Sequence, residues 1–251
     1  MIDIKNESQL NLIRKASQIV AETLKLVKEN ARAGVSTAYL DEIAYKNITK
    51  NKAKPAFLGY HGYPKTACIS INEEVIHGIP SDKKIIKEGD VVSVDLGAVY
   101  EDYYGDAAIT FIVGKPKKKE HIRLIEVCEK ALYEGLNVLK DGVMLGDVSY
   151  AIGSYVFKNK MDVLRDFTGH GIGRNLHEDP VIFNYGLKNT GHILREGMTL
   201  AIEPMITLGR SDVKIKEDGW TVVTVDGSYS AHFEHTVCVK KNGFEILSMV
   251  P

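Results

Sequence analysis

The sequence repeats one order of motifs, once in each half of the chain. A histidine lies three residues before a proline at His77 and again at His177, and a glycine lies six residues before a strand carboxylate at Gly89 and again at Gly197. A basic residue and a glutamate precede each of these glycines. The matched positions are few, so chance similarity is the alternative to duplication. Duplication predicts pseudo-twofold symmetry, with a site where the two halves meet.

Each half also opens with a long helix and a shorter one. Apolar residues recur every three or four positions over residues 6–32 and again over 119–139, and a shorter helical segment follows each. Strands come after each helix pair, so we expect two α-α-β units in one domain, residues 1–251, with halves of roughly 1–115 and 116–251. The expected fold class is α+β, with a curved antiparallel central sheet and helices outside.

The bulk composition excludes several classes of protein. The 251 residues carry a net charge of −1, with a pI of about 6.7, so the chain lacks the charge of a nucleic-acid-binding protein. It has no run of about 18 apolar residues and no secretion signal at its polar start. Cys68, Cys128 and Cys238 are far apart and odd in number, so they form neither a disulfide framework nor a zinc motif. We therefore expect a cytoplasmic protein.

An aspartate interrupts the strand pattern of the first half. Residues 91–100 are rich in β-branched side chains and predict a half-buried strand with Asp95 in its middle. A second strand over 107–113 follows Asp106. If the two strands fold back about residues 100–101, the two aspartates face each other, and such a pair needs a shared proton or a cation. An isolated aspartate, by contrast, usually caps a turn or faces solvent.

The second half adds three candidate ligands. His170 is flanked by glycines that let backbone or metal approach closely, although a lone histidine is usually structural. Glu203 ends an apolar run before a proline, and Glu234 lies inside another strand-like run. A buried glutamate is almost never unpaired. His232 shares the face of Glu234 by period two, whereas His235 points the other way.

The charge of these candidates predicts their partners. Four carboxylates in one site carry a charge of −4, which costs several kcal/mol per ion when it is unpaired. Two divalent cations balance that charge if two carboxylates bridge them. A carboxylate-rich set with one imidazole suits Mn, Fe, Co or Zn rather than a structural zinc site. The full set is Asp95, Asp106, His170, Glu203 and Glu234.

Short sequence motifs extend this pattern and resemble those of a known family. The five candidate ligands, in this order, resemble those of the methionine aminopeptidases of bacterial type I, which belong to subfamily A of peptidase family M24 and have the pita-bread fold. The resemblance covers nearly the whole chain. The matching phrases are residues 58–65, 68–73, 77–80, 169–173, 201–204 and 234–236.

The resemblance implies a role for each ligand. Asp95 would chelate one metal, Asp106 and Glu234 would bridge two metals, and His170 and Glu203 would complete the other. The cofactors would be two divalent ions, Co, Mn, Fe or Zn. Glu203 would also carry a proton from the attacking water to the leaving amine.

The resemblance further implies a substrate and its binding residues. The chain would remove the N-terminal methionine of nascent polypeptides and prefer a small second residue, and the ribosome is a candidate partner. His77 and His177 would bind the scissile peptide and stabilise its developing oxyanion. We expect a monomer that binds neither DNA nor membrane. The pocket for the methionine would be lined by Tyr60, His61, Tyr63, Cys68 and Trp220.

Three positions depart from the usual pattern of that family. Phe57 stands where cysteine is common, Asn175 where glycine is usual, and His232 where glutamine is usual. None of them removes a ligand, so we expect them to change the shape of the pocket and the groups that surround the ligands rather than the reaction. His121 and His192 have no companions in the sequence and are expected at the surface.

Two other functions are compatible with parts of this pattern. An aminopeptidase P or prolidase-like enzyme shares the five ligands but usually carries a preceding domain and further histidines near the site. A non-catalytic relative that binds protein or RNA loses metal ligands, whereas this chain keeps all five.

Overall fold

A nine-stranded sheet and four α-helices form the frame of the protein in the computed structural model, which describes residues 2–249. The helices are α1 (Glu7–Asn30), α2 (Thr37–Lys50), α3 (Lys119–Leu136) and α4 (Leu145–Lys158). The strands are β1 (Lys54–Pro55), β2 (Ala67–Ile71), β3 (Glu74–Ile76), β4 (Val91–Tyr100), β5 (Tyr103–Ile112), β6 (Asp162–Val163), β7 (Gly169–Gly171), β8 (Glu178–Ile182), β9 (Thr199–Ile202), β10 (Met205–Thr207), β11 (Val213–Ile215), β12 (Val222–Thr224), β13 (Ser230–His232), β14 (Glu234–Lys240) and β15 (Gly243–Ile246).

Side-chain caps and a close backbone contact fix the first two helices. The side chain of Asn6 accepts from the backbone N–H of Gln9, whose side chain accepts from the N–H of Asn6, so α1 begins with a reciprocal cap. At the start of α2, the hydroxyl of Ser36 accepts from the backbone N–H of Tyr39. A Cβ at Gly105 would overlap Ser17, so only a glycine in β5 lets α1 lie this close to the sheet.

The large sheet joins strands of both halves. Its order is β1-β4-β5-β14-β9-β7-β8, with β2 also paired to β4 and β15 to β14, and every pairing is antiparallel. The seam between β5 and β14 divides strands of the first half from strands of the second. Two further three-stranded sheets are β13-β10-β6 and β11-β12-β3. The α+β class with an antiparallel central sheet is confirmed.

The two halves make equivalent contacts at equivalent places. The residue before α2 forms an isolated bridge with Ile85, and the residue before α4 forms one with Ile193. These bridges agree with the repeat seen in the sequence. The boundaries of one domain over 1–251 stay a prediction. Further matched backbone hydrogen bonds are Gly34 to Ile86 and Gly142 to Leu194, both 2.9 Å, and Gly89 to Val113 at 2.7 Å and Gly197 to Val239 at 3.0 Å.

Each half has its own apolar core beneath its helices. One cluster joins α1 and α2 to the strands of the first half, and the larger one joins α3 and α4 to those of the second. The expectation that His121 lies at the surface is wrong. It is 3% exposed because α3 packs against β13 and its ring stacks on Tyr229, with 4.3 Å between centroids. His192 is exposed, as expected.

The hairpin of β4 and β5 turns one residue later than the sequence suggested. We expected the turn at residues 100–101, but Tyr100 pairs with Tyr103, and the turn residues are Glu101 and Asp102. Both have positive φ, 45° and 64°. Two consecutive residues with positive φ give the two-residue turn whose twist matches that of the flanking strands.

This register changes how the first two carboxylates meet. The expected direct pairing of Asp95 with Asp106 is wrong, because Asp95 lies opposite Ala108 and Asp106 lies opposite Gly97. The pairing is shifted by two residues, and side chains alternate with period two, so both carboxylates stay on one face. They are diagonal neighbours rather than direct partners.

Among residues 2–249, no helix is long and apolar enough to cross a membrane.

The turn makes a testable prediction about stability. Asp102→Gly should raise the free energy of unfolding by about 0.5–1 kcal/mol, because glycine adopts a positive φ without the steric cost that a Cβ brings. Urea denaturation of the two proteins measures the difference.

Asp82→Gly is the matched control, since Asp82 is also exposed but does not have a positive φ. There the added freedom of the unfolded chain should lower stability by about 0.4–1 kcal/mol. Equal losses in both variants would contradict the turn geometry.

Candidate metal centre

Strands of both halves bring the five expected ligands into one cavity. Asp95 lies in β4 and Asp106 in β5, whereas His170 lies in β7. Glu203 directly follows β9, and Glu234 begins β14. Each of the five is buried, between 2% and 7% exposed, and all line the same cavity of 720 Å³. The structure therefore brings together every member of the set.

Two alanines with small side chains leave space in the sheet for the candidate ligands to converge. Ala108 in β5 pairs with Asp95 on one side and with Glu234 on the other, so the two carboxylates flank it across three strands. In the second half, Ala201 in β9 pairs with His170, two residues before Glu203. A larger side chain at either alanine would fill the space between the polar groups.

Several donor atoms in the cavity have no protein partner. Among the described residues, the buried atoms Asp95 Oδ1, Asp106 Oδ1 and Glu234 Oε1 make no hydrogen bond. A buried polar atom without a partner costs free energy, so a native site with three such oxygens requires something that binds them. The donor set is rich in carboxylates and fits divalent cations.

Two triplets of donor atoms are close enough to hold an ion. The atoms within each triplet lie within 4.8 Å of one another, and the triplets share Glu234. One contains Asp106 and His170, and the other contains Glu203 and His232. Asp95 belongs to neither triplet, but it lies beside Asp106, whose negative charge contributes to its raised pKa.

Burial raises the pKa of all four carboxyl groups, and repulsion by neighbouring carboxylates raises that of three of them further. Burial raises the pKa of Asp106 to about 7. Burial first, and then the charges of the neighbouring carboxylates, raise the pKa values of Asp95, Glu203 and Glu234 well above those of free carboxyl groups. Without a cation, the site therefore favours the protonated acids.

The tautomer of His170 leaves its ring nitrogen Nε2 free to bind a metal ion. Burial lowers the pKa of His170 to about 4, so the ring is neutral. Its Nδ1 lies 2.9 Å from the carbonyl oxygen of Gly171, which assigns the proton to Nδ1 and leaves a lone pair on Nε2. That Nε2 lies 3.5 Å from Oε1 of Glu203. The pattern is typical of a metal-binding histidine.

The two duplicated histidines also line the cavity. His177 lies at its exposed mouth, where Nδ1 is 2.8 Å from the hydroxyl of Tyr60 and the ring packs edge-on against that of His170. His77 packs edge-on against Phe167 and has a positive φ of 59°. A histidine held in this sparsely populated region points to a functional constraint.

The expected pocket residues lie in the same cavity. They share aromatic or sulfur-containing side chains, and Phe57 joins them, so its substitution for the usual cysteine does alter this wall. Asn175 lies outside the cavity lining, where its N–H donates to Glu178. The expected pocket residues that line the cavity are Tyr60, His61, Tyr63, Cys68 and Trp220.

Sequence reasoning missed two residues near the site. The sequence placed His232 on the face of Glu234 but assigned it no role in the site, whereas in the structure its Nε2 lies 3.3 Å from Oε2 of Glu203. Its period-two spacing from Glu234 was the available signal. Lys5 is 5% exposed and pairs with Glu178 at 2.7 Å, which ties the N-terminal segment to the residue next to His177. No local pattern links residues this far apart in the chain.

Comparisons with known proteins all point to one family. The model for metallopeptidase family M24 matches residues 11–241. Methionine aminopeptidase 1 of Bacillus subtilis is 45% identical over 250 residues, which is 100% of both chains. The methionine aminopeptidase of Escherichia coli K12 is 42% identical and covers 99% of this chain and 94% of its own.

Solved structures agree with these relatives. The methionine aminopeptidase of Thermotoga maritima matches with a TM-score of 0.98 at 48% identity, over 99% of this chain and 100% of its own. The prolidase of Pyrococcus furiosus matches with a TM-score of 0.79 at 24% identity, over 99% of this chain and 66% of its own, which shows a shared fold alone. The expected pita-bread fold is confirmed.

The raised pKa values predict how stability depends on pH. In the chelated protein, the free energy of unfolding should fall as the pH rises from about 6.5 to about 8.5, because the folded carboxyl groups keep protons that the unfolded chain has already released. Below about pH 6.5 the buried histidines act in the opposite direction. Urea denaturation across this range measures the slope.

Asp106→Asn should reduce that slope, and Mn²⁺ should stabilise the wild type more than this variant. Asp226→Asn is the control, since hydrogen bonds to Arg210 and Ser228 lower the pKa of Asp226 to about 2 and keep it ionised throughout. The same slope in the wild type and in Asp106→Asn would contradict the prediction.

Proposed function

The chain belongs to metallopeptidase family M24, and we propose that it removes the N-terminal methionine of a peptide, the reaction for which its full-length relatives are named. It is a metal-dependent hydrolase. One feature of the molecule supports this function above all others: a single cavity joins four buried carboxyl groups, three of which have an oxygen without a partner among the described residues, to the histidines His77, His170 and His177.

Five residues hold the metals. Asp106 and Glu234 would be shared by two divalent cations, Asp95 would bind one cation, and His170 and Glu203 would bind the other. Co, Mn, Fe and Zn all suit this carboxylate-rich set with one neutral imidazole. Bound there, the cations polarise the scissile carbonyl and lower the pKa of a water molecule.

Glu203 moves the proton. Its carboxyl group is buried at the cavity wall, and burial raises its pKa well above the usual range. Bound cations would favour its ionised form, and the Glu203 carboxylate would then accept a proton from the attacking water and return it to the nitrogen of the leaving amine. One residue then serves both proton transfers. The released products are methionine and the shortened peptide.

His177 and His77 bind the scissile peptide. When the Tyr60 hydroxyl donates to Nδ1 of His177, the ring proton lies on Nε2. That N–H can donate to the carbonyl oxygen as negative charge develops there. His77 lines the cavity beside Phe167 and can bond the backbone next to the cleaved bond.

The cavity walls select the first two residues of the substrate. Tyr60, His61, Tyr63, Cys68 and Trp220 form an apolar wall with Phe57, and an unbranched thioether fills such a slot with little strain. The second side chain then lies near His77, where a small residue fits best. A cation held by Asp95 would receive the free amine of the substrate.

The setting of this reaction follows from its substrate. The substrates are nascent polypeptides in the cytoplasm, and the ribosome is a candidate partner that presents them. The chain acts as a monomer, since each half supplies the ligands that the other lacks. Residues 1–251 then form one catalytic domain.

A panel of peptides tests the function. The protein loaded with Co²⁺ or Mn²⁺ should release methionine from Met-Ala-Ser, and should cleave Met-Leu-Ser and Met-Arg-Ser about 5- to 150-fold more slowly, because a large second side chain overpacks the site. Formyl-Met-Ala-Ser should resist cleavage. Comparable rates on all four peptides, or preferential cleavage of an Xaa-Pro dipeptide, would contradict the proposal.

Two variants test the oxyanion donor. His177→Ala should lower kcat about 10²- to 10³-fold with normal metal content, as loss of one such donor does. Tyr60→Phe should lower kcat by up to about tenfold, because it removes one hydrogen bond that sets the tautomer. Metal analysis and steady-state kinetics measure both effects. A loss of metal from His177→Ala would make His177 a ligand instead.

A further inference from the structure

His232 is a buried imidazole with a free ring nitrogen that faces the metal centre. The residue is 1% exposed, and Nε2 has no hydrogen-bond partner among the described residues. It lies 3.3 Å from Oε2 of Glu203. Charge-assisted hydrogen bonds between nitrogen and a carboxylate are usually about 2.7–2.9 Å long, so this separation is long for one.

The separation instead fits two ligands of one cation. Two donors about 2.1 Å from one ion lie roughly 3.0–3.4 Å apart at bond angles between a right angle and the tetrahedral angle. His232 and Glu203 meet this condition at 3.3 Å. His170 and the other oxygen of Glu203 nearly meet it, at 3.5 Å. The carboxylate of Glu203 thus has an imidazole nitrogen beside each oxygen.

The backbone fixes the position of His232. Its N–H donates to the hydroxyl of Thr110 at 2.9 Å, and its carbonyl oxygen accepts from the same hydroxyl group at 2.7 Å. Thr110 lies in β5, four residues after Asp106, and its hydroxyl also contacts that of Ser93. This clamp ties the backbone of β13 to the strand that carries Asp106, so His232 is held beside the candidate ligands.

We propose that His232 is a sixth ligand of the centre and binds the cation that Glu203 and Glu234 hold. The inference rests on the two-cation centre proposed above and adds a ligand to its five residues. The donors of His232, Glu203 and Glu234 lie within 4.8 Å of one another. A second imidazole shifts the preference of this cation from Mn towards Co, Fe and Zn, which bind imidazole better.

His232→Gln tests the inference by changing the donor and keeping a polar side chain. The apo-protein is titrated with Co²⁺ alone, and X-ray absorption counts the imidazoles per pair of ions. The wild type should show two imidazoles per pair and the variant one. The variant should also bind one of its two Co²⁺ ions at least about tenfold more weakly, and its preference for Co²⁺ over Mn²⁺ should fall.

His121→Gln is the matched control, since His121 is also buried but stacks on Tyr229 outside the cavity. It should leave the imidazole count and both affinities unchanged. One imidazole per pair in both the wild type and His232→Gln would overturn the inference and leave His232 as a hydrogen-bond donor to Glu203. A wild type that binds no Co²⁺ would overturn the two-cation centre itself.

A second measurement needs no variant. In wild-type protein labelled with ¹⁵N-histidine and loaded with Zn²⁺, the Nε2 signals of two histidines should shift on metal binding while neither gains a proton. A protonated Nε2 on His232 would overturn the inference, because a nitrogen that donates a hydrogen bond has no lone pair for the metal.

Discussion

Repulsion among four buried carboxylates is the constraint on which this structure depends. Asp95, Asp106, Glu203 and Glu234 are each nearly inaccessible to solvent, and burial raises the pKa of all four. Leaving such charges unpaired costs several kcal/mol per ion. Divalent cations would remove that cost, so the carboxyl groups whose burial is most unfavourable are also the ones best suited to bind metal.

The antiparallel sheet explains why this concentration of charge can be assembled. Its seam joins β5 of the first half to β14 of the second, and Ala108 separates Asp95 from Glu234 across that seam. The equivalent contacts that precede α2 and α4 show the same frame in both halves. A frame built from two similar units holds three of the carboxylates within strands and Glu203 in the two-residue connection between β9 and β10.

Neutral imidazoles complete the site because their protons are assigned by other groups. The carbonyl of Gly171 assigns the proton of His170 to Nδ1, and a hydrogen bond donated by the hydroxyl of Tyr60 would assign that of His177 to Nε2. One ring can therefore offer a lone pair to a cation while the other offers an N–H to a substrate. The same residue type performs two tasks because its hydrogen-bond partners differ.

The sequence by itself determined the helices and the set of five candidate ligands, since these follow from apolar periodicity and from ionisable residues inside strand-like runs. Three features depend on strand pairing and packing, and only the tertiary structure showed them. They are the turn at Glu101 and Asp102, the burial of His121 and the position of His232 beside Glu203. A shift of two residues in a hairpin leaves every side chain on its face, so no periodicity reveals it. The surroundings of a histidine depend on strands distant in the chain, and only the folded sheet brings those together.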